Sequence, residues 1–131
     1  MSIHQKTAEG QSHYFGMRTK KENILGPNRI HPESIFDMLQ VWQDASNINR
    51  FMLKLYERKG LERHGKHFLL VLSKEDIDAL EAAIEDASFY EGAEYPHDMT
   101  DRIADEIRGM VFIRRARKAL LEGDAVFYEF V

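Results

Sequence analysis

The sequence predicts an α+β fold, a two-layer sandwich in which a small three-stranded sheet packs against three helices. Three observations lead to this prediction. A long amphipathic helical pattern runs from Pro32 to Arg58, Ser73 opens a clear helix-start signal, and three short segments are rich in strand-forming residues, namely SHYFGMR, HFLLVL and AVFYEFV. The longest helix is therefore expected over residues 32–58, lying across the sheet.

Length and composition limit the class of protein. A chain of 131 residues fits one domain, so residues 1–11 are predicted to be a flexible tail and 12–131 a single domain. There are no cysteines, which excludes disulfides and thiolate zinc sites. No apolar run resembles a signal peptide or a membrane span, so we expect a soluble cytoplasmic protein.

The predicted long helix has one apolar face. On a helical wheel its apolar residues share one broad arc, and Pro32 suits the first turn because a proline lacks the N–H that is unused there. Trp42 is expected to be buried by this face. Asn49 lies within the same arc, so its amide either bonds a neighbouring segment, which we favour, or lines a polar pocket.

The remaining elements follow in chain order. SHYFGMR is a short strand from Ser12 to Arg18, ILGPNRIHP is a loop, and HFLLVL is a strand that is either central or covered on both faces. Ser73 and Asp76 have the spacing of a capping box, which starts a helix from Lys74 to about Ala87.

The C-terminal third predicts a helix and a strand. FYEGAEYPHDM is a loop, Thr100 or Asp101 caps the third helix, and Gly123 ends that helix in a left-handed conformation. AVFYEFV is the last strand. Because it ends the chain, we expect it at a sheet edge, where pairing with a second copy would build a homodimer.

Charge is unevenly distributed along the chain. The segment from 75 to 106 has one basic residue, Arg102, and twelve acidic residues: Glu75, Asp76, Asp78, Glu81, Glu85, Asp86, Glu91, Glu94, Asp98, Asp101, Asp105 and Glu106. Such a segment repels phosphates and indicates either a solvated face paired within the fold or a surface that imitates phosphates to a basic partner.

Two histidine groups suggest enzymatic alternatives. His97 with Asp98 and Glu94 could form an acid–base site, since neighbouring carboxylates raise one another's pKa, although a helix-capping loop explains the segment better. His64 and His67 are half of a metal ligand set, but their spacing of three spans a predicted turn and no third ligand is evident. Solvated loop histidines are the favoured interpretation, and no cofactor is predicted.

RRARK, from Arg114 to Lys118, is the strongest basic cluster. Arg114, Arg117 and Lys118 share a helical face and could contact consecutive phosphates of a nucleic acid. We favour a structural role, in which they complement the helix dipole and pair with Glu81 and Glu85.

Three blocks of the sequence resemble a loosely defined family of small uncharacterised proteins of bacteriophages and other mobile elements. These blocks are VWQDASNINRFM, S-x-E-D-I-x-x-L and ARKALLEGDAVFYEF, and SHYFGMRTKK is similar to the family's first strand. Trp42, Ala45 and Ile48 match a Y-W-R-K-A-N-x-I-H pattern, while Val41, Gln43, Asp44 and Asn49 replace its polar members. The resemblance implies no activity.

The sequence therefore predicts a non-enzymatic binding or accessory protein that acts through protein–protein contacts and has a phage or mobile-element origin. Two alternatives stay open: a small metal-dependent or acid–base hydrolase at His97, and a nucleic-acid-binding module at Arg114–Lys118. We expect no membrane partner.

Overall fold

The computed structural model describes residues 13–43, 46–91 and 99–130. Its strands are β1 (His13–Lys20), β2 (Ile24–Gly26), β3 (Arg29–Ile30), β4 (Phe36–Gln43), β5 (Phe68–Leu72) and β6 (Asp124–Phe130), and its helices are α1 (Ser46–Arg58), α2 (Lys74–Glu85) and α3 (Met99–Leu121). The predicted α+β class is confirmed. The predicted tail at 1–11 lies outside the described residues, and the domain assignment stays a prediction.

The main sheet has four antiparallel strands rather than the three that we predicted. Their order is β4-β1-β6-β5, so the C-terminal strand β6 lies inside the sheet and its predicted edge position was wrong. β5 is at an edge rather than central. A separate ribbon of β2 and β3 forms where the sequence indicated only a loop, and the carbonyl of Pro27 accepts a hydrogen bond from the Val71 amide of β5.

The predicted helix over 32–58 was wrong in its first half, which forms β4, and correct in its second half, which forms α1. A β-bulge explains the error. The pairing of β4 with β1 shifts register at Gly16 and Met17, which leaves Leu39 as an extra residue. Leu39 and Trp42 are therefore both buried and three residues apart, which imitates the spacing of a helical face.

Two local sequence signals correctly predicted helix ends, one at the start of α2 and one at the end of α3. The Ser73 hydroxyl accepts from the Asp76 amide and the Asp76 carboxylate accepts from the Ser73 amide, which completes the capping box of α2. Gly123 has φ +90° after α3, as its position predicted. The longest helix is α3, with 23 residues, and no helix in the described ranges has the length and apolar character to cross a membrane.

All three helices bury side chains against one face of the main sheet, which we call the helix-side face. Gly16 marks the closest approach, because a Cβ there would overlap the Phe112 ring of α3. Trp42 is only 2% exposed and meets Phe112 edge-on, with 5.2 Å between ring centroids. The predicted burial of this indole is confirmed, although a strand and not a helix carries it.

Candidate functional site

The predicted site residues fall into separate parts of the molecule. The acid–base group of Glu94, His97 and Asp98 lies outside the described residues. Trp42 is buried, and the Asn49 side-chain oxygen accepts a hydrogen bond of 3.0 Å from the Tyr128 hydroxyl, while a binding role for these two residues stays a prediction. Tyr128 is fully buried, and burial raises its pKa well above the ordinary value, so the phenol stays neutral and donates.

The two histidines of the metal hypothesis do not form a ligand cluster with any third residue that the structure describes. His64 is exposed in the segment between α1 and β5. The His67 Nε2 atom lies 2.8 Å from a carboxylate oxygen of Glu129, which is buried on β6. This contact joins the approach to β5 with β6, and the metal site stays a prediction.

The basic cluster is only partly engaged within the fold. Arg117 donates to Glu81 at 2.8 and 3.1 Å and to Asp78 at 2.9 Å, which joins α3 to α2. These hydrogen bonds raise the pKa of the arginine and lower the pKa of both carboxyl groups. The second partner of Arg117 is therefore Asp78, whereas the sequence had suggested Glu85. Arg114 and Lys118 are exposed.

Several residues of the acidic segment also have internal partners. Asp76 belongs to the capping box and receives the Lys59 ammonium at 2.6 Å, and Asp105 accepts from the Asn47 amide. Among the acidic residues whose side chains the structure describes, Glu75, Glu85, Asp86, Glu91 and Glu106 are exposed. The segment is therefore a partly neutralised surface, which weakens the idea that it imitates a phosphate backbone.

The sheet's second face, away from the helices, is unusually apolar. We call it the outer face; among the residues whose side chains the structure describes, strand register assigns to it His13, Phe15, Met17, Thr19, Phe36, Met38, Val41, Leu69, Val71, Ala125, Phe127 and Glu129. Of these twelve residues only His13, Thr19 and Glu129 are polar. An antiparallel sheet with helices on one side commonly carries polar residues on the other, so this composition requires an explanation.

The outer face is unevenly covered. Met17 and Phe127 are completely buried although they do not belong to the helix-side core. Met38 and Val41 on the edge strand β4 remain 42% and 40% exposed, and Phe15 and Leu69 are half-buried. Large side chains at accessible positions on one sheet face are typical of a contact surface. The sequence does not reveal this surface, because residues 36–43 have a helical pattern but form β4.

A groove with a volume of about 340 Å³ lies on the helix side, between α1 and the end of α2. Arg50, Lys54 and Arg58 of α1 form one wall. Ala79 and Ala82 of α2, with Asp86 just after it, contribute to the other. The spacing of four residues between the three cations was visible in the sequence. Their position opposite the small residues of α2 was not visible in the sequence.

A second depression contains charges of which only some are paired with one another. It is lined by Arg18, Lys20, Glu33, Asp37 and Asp124, and has a volume of about 530 Å³. Arg18 donates to Asp124 at 2.9 Å and approaches Glu122 at 2.8 Å. The contact with Arg18 lowers the pKa of Asp124. This arrangement joins β1 to the start of β6, whereas Glu33 and Asp37, which also line the depression, form no ion pair with any residue that the structure describes.

Comparison of the chain with protein-family models, with curated proteins and with solved structures finds no match. The resemblance to phage and mobile-element proteins therefore stays a prediction from the sequence.

Proposed function

We propose that this protein is a non-enzymatic binding protein that acts through protein–protein contacts, and that its outer face is the contact surface. The observation that carries the proposal is the composition of this face, where nine of the twelve described residues are apolar in a sheet whose helices all lie on the other side. Six of the nine stay exposed or half-buried, namely Phe15, Phe36, Met38, Val41, Leu69 and Val71. Burial of such side chains against a partner contributes roughly 25 cal/mol per Å² of apolar surface removed from water.

The first partner that we propose is a second copy of the chain. A two-fold symmetric contact places the same patch on both subunits, so the patch must be complementary to itself. An apolar patch meets this condition without any matching of charges. Pairing of the β4 backbones is the less favoured geometry, because the Leu39 carbonyl already accepts from Arg115 and the Val41 carbonyl accepts from the Gln40 side chain. Contact between faces leaves these hydrogen bonds intact.

Sedimentation velocity over a concentration series tests this proposal. The wild type should sediment at twice the 15.3 kDa chain mass, and the double variant Met38→Lys/Val41→Lys should sediment as a monomer, because two buried ammonium groups oppose association. The matched control is Ile107→Lys/Leu121→Lys, which adds the same charge at exposed positions of α3. The control should remain dimeric.

Thermal unfolding by circular dichroism must show that each variant is folded before its mass is interpreted. A wild type that is monomeric at every concentration would overturn the proposed self-association. Equal dissociation of the β4 and α3 variants would overturn the assignment of the contact to the outer face.

A further inference from the structure

The groove on the helix side has an ordered charge pattern, and none of its lining residues belongs to the outer face. Lys59 of α1 pairs with Asp76 at the start of α2, so the C-terminal end of α1 lies beside the N-terminal end of α2. The 3-10 turn Ser88–Tyr90, which follows α2, is near the other end of the groove. The groove therefore has two distinct ends, one near the start of α2 and the other near the 3-10 turn.

One wall is a row of cations. Arg50, Lys54 and Arg58 are four residues apart, so they share one face of α1 at intervals of about 6 Å along its axis. Lys54 and Arg58 are exposed, and no carboxylate that the structure describes pairs with either of them. Arg50 donates to the side-chain oxygen of Asn47 at 2.5 Å. Two uncompensated positive charges thus point toward a concave space.

The Arg50 end carries the opposite charge. Asp86 and Glu91 line this end, and the Asp86 carboxylate accepts from the Ser88 amide at 2.9 Å. Hydrogen bonds from Ser88 lower the pKa of Asp86, which keeps it ionised at neutral pH. Between the two ends the lining is small and apolar, with Ala79 and Ala82, and the buried Phe89 also lines the groove. The groove is therefore bipolar rather than uniformly basic.

We infer that this groove binds an extended peptide segment of another protein, with acidic residues at alternate positions facing Lys54 and Arg58 and a basic residue facing Asp86 and Glu91. Alternate side chains of an extended peptide lie on one side at intervals of about 6.6 Å, close to the 6 Å interval of the cations. The volume of 340 Å³ accommodates a few side chains and not a helix. The negative phosphates of a nucleic acid would complement only the basic half of the groove and would be repelled by Asp86 and Glu91.

Fluorescence anisotropy with a labelled synthetic peptide tests the inference on the full chain. The peptide carries glutamate at two alternate positions, lysine near one end, and alanine elsewhere. Wild-type binding should be saturable and should weaken with salt. The variant Lys54→Glu/Arg58→Glu should raise the Kd about tenfold or more, while Arg114→Glu/Lys118→Glu, which has the same charge change on exposed residues of α3, should change it less than about twofold.

A charge-swapped probe separates loss of binding from loss of structure. A peptide with lysine at the two alternate positions and neutral ends should bind the Lys54→Glu/Arg58→Glu variant better than the wild type. Absence of saturable wild-type binding would overturn the inference, as would equal losses in both double variants. Tighter binding of a single-stranded oligonucleotide than of the acidic peptide would replace it with a nucleic-acid site. Because the outer face is intact in all these variants, failure here leaves the proposed self-association unaffected.

Discussion

The Arg115 guanidinium of α3 donates a hydrogen bond of 2.7 Å to the backbone carbonyl oxygen of Leu39, the extra residue in the bulge of β4. A bulge disrupts the ladder locally and leaves the extra residue without a backbone partner, so a side chain must satisfy this carbonyl. The contact explains how an irregular edge strand is held against the helix layer. It also gives an exposed arginine of the basic cluster a structural role.

Arg115→Ala should therefore lower the free energy of unfolding by about 1–2 kcal/mol, because a part-buried carbonyl loses a charged donor. Hydrogen exchange of the β4 amides should become faster than that of the β6 amides, since the loss is local to the edge. The control Arg114→Ala, at the exposed neighbouring position, should change stability by less than about 0.5 kcal/mol. Equal effects of the two substitutions would contradict the role of this hydrogen bond.

Gly16→Ala should destabilise the fold by about 1–3 kcal/mol, because the new methyl group overlaps the Phe112 ring on the helix-side face. Chemical unfolding measures the loss. Gly26→Ala is the control, since nothing lies within 4 Å of a Cβ there and its φ is not positive. In the Phe112→Leu background the cost of Gly16→Ala should fall, and an unchanged cost would show that the ring is not the obstacle.

The Asn49 and Tyr128 side chains should be energetically coupled. Removal of Asn49 leaves the buried Tyr128 hydroxyl without its acceptor, and removal of the hydroxyl leaves the Asn49 side-chain oxygen without its donor. Asn49→Ala and Tyr128→Phe should each cost about 1–3 kcal/mol, and the double variant should cost less than the sum of the two. Urea unfolding of all four proteins measures the coupling. The control cycle combines Asn49→Ala with Tyr56→Phe, whose hydroxyl accepts from Asn28 instead, and this pair should be additive.

Stability should fall in acid in part through Asp124. Its pKa is lowered in the folded state, chiefly by the hydrogen bond from Arg18, relative to an unfolded value of about 3.9. A group with a lowered folded pKa stabilises the protein above its unfolded pKa, and this contribution is lost as the pH falls through the folded pKa. Urea unfolding from pH 6 to about pH 2 should therefore show a decline that Asp124→Asn reduces.

Glu85→Gln is the matched control for this pH series, because Glu85 is an exposed carboxylate of α2 with no described partner. It should leave the acid dependence essentially unchanged. A profile for Asp124→Asn that overlays the wild type would show that the contact with Arg18 contributes nothing to acid stability.

Only some features of the groove can be predicted from sequence patterns. The four-residue spacing of Arg50, Lys54 and Arg58 is a local property, so the shared face of these cations was predictable. The opposite wall comes from α2, and its placement beside α1 is a tertiary feature, in which Lys59 after α1 contacts Asp76 at the start of α2 and both helices pack against the sheet. Pairing of Arg117 with Glu81 was predictable from charge, whereas the choice of Asp78 over Glu85 depends on how α3 lies against α2.

The sequence by itself determined the elements whose signals are local. The capping box at Ser73, the left-handed Gly123, and the strand character of β5 and β6 require only neighbouring residues, because a cap or a turn is satisfied within a few residues of the chain. Tertiary structure alone decided that β6 lies between β1 and β5 and that residues 36–43 extend along β1 instead of continuing α1. The physical reason is that backbone hydrogen bonds in a sheet join distant segments. A bulged strand whose apolar side chains imitate a helical period therefore becomes recognisable only when its partner strand is present.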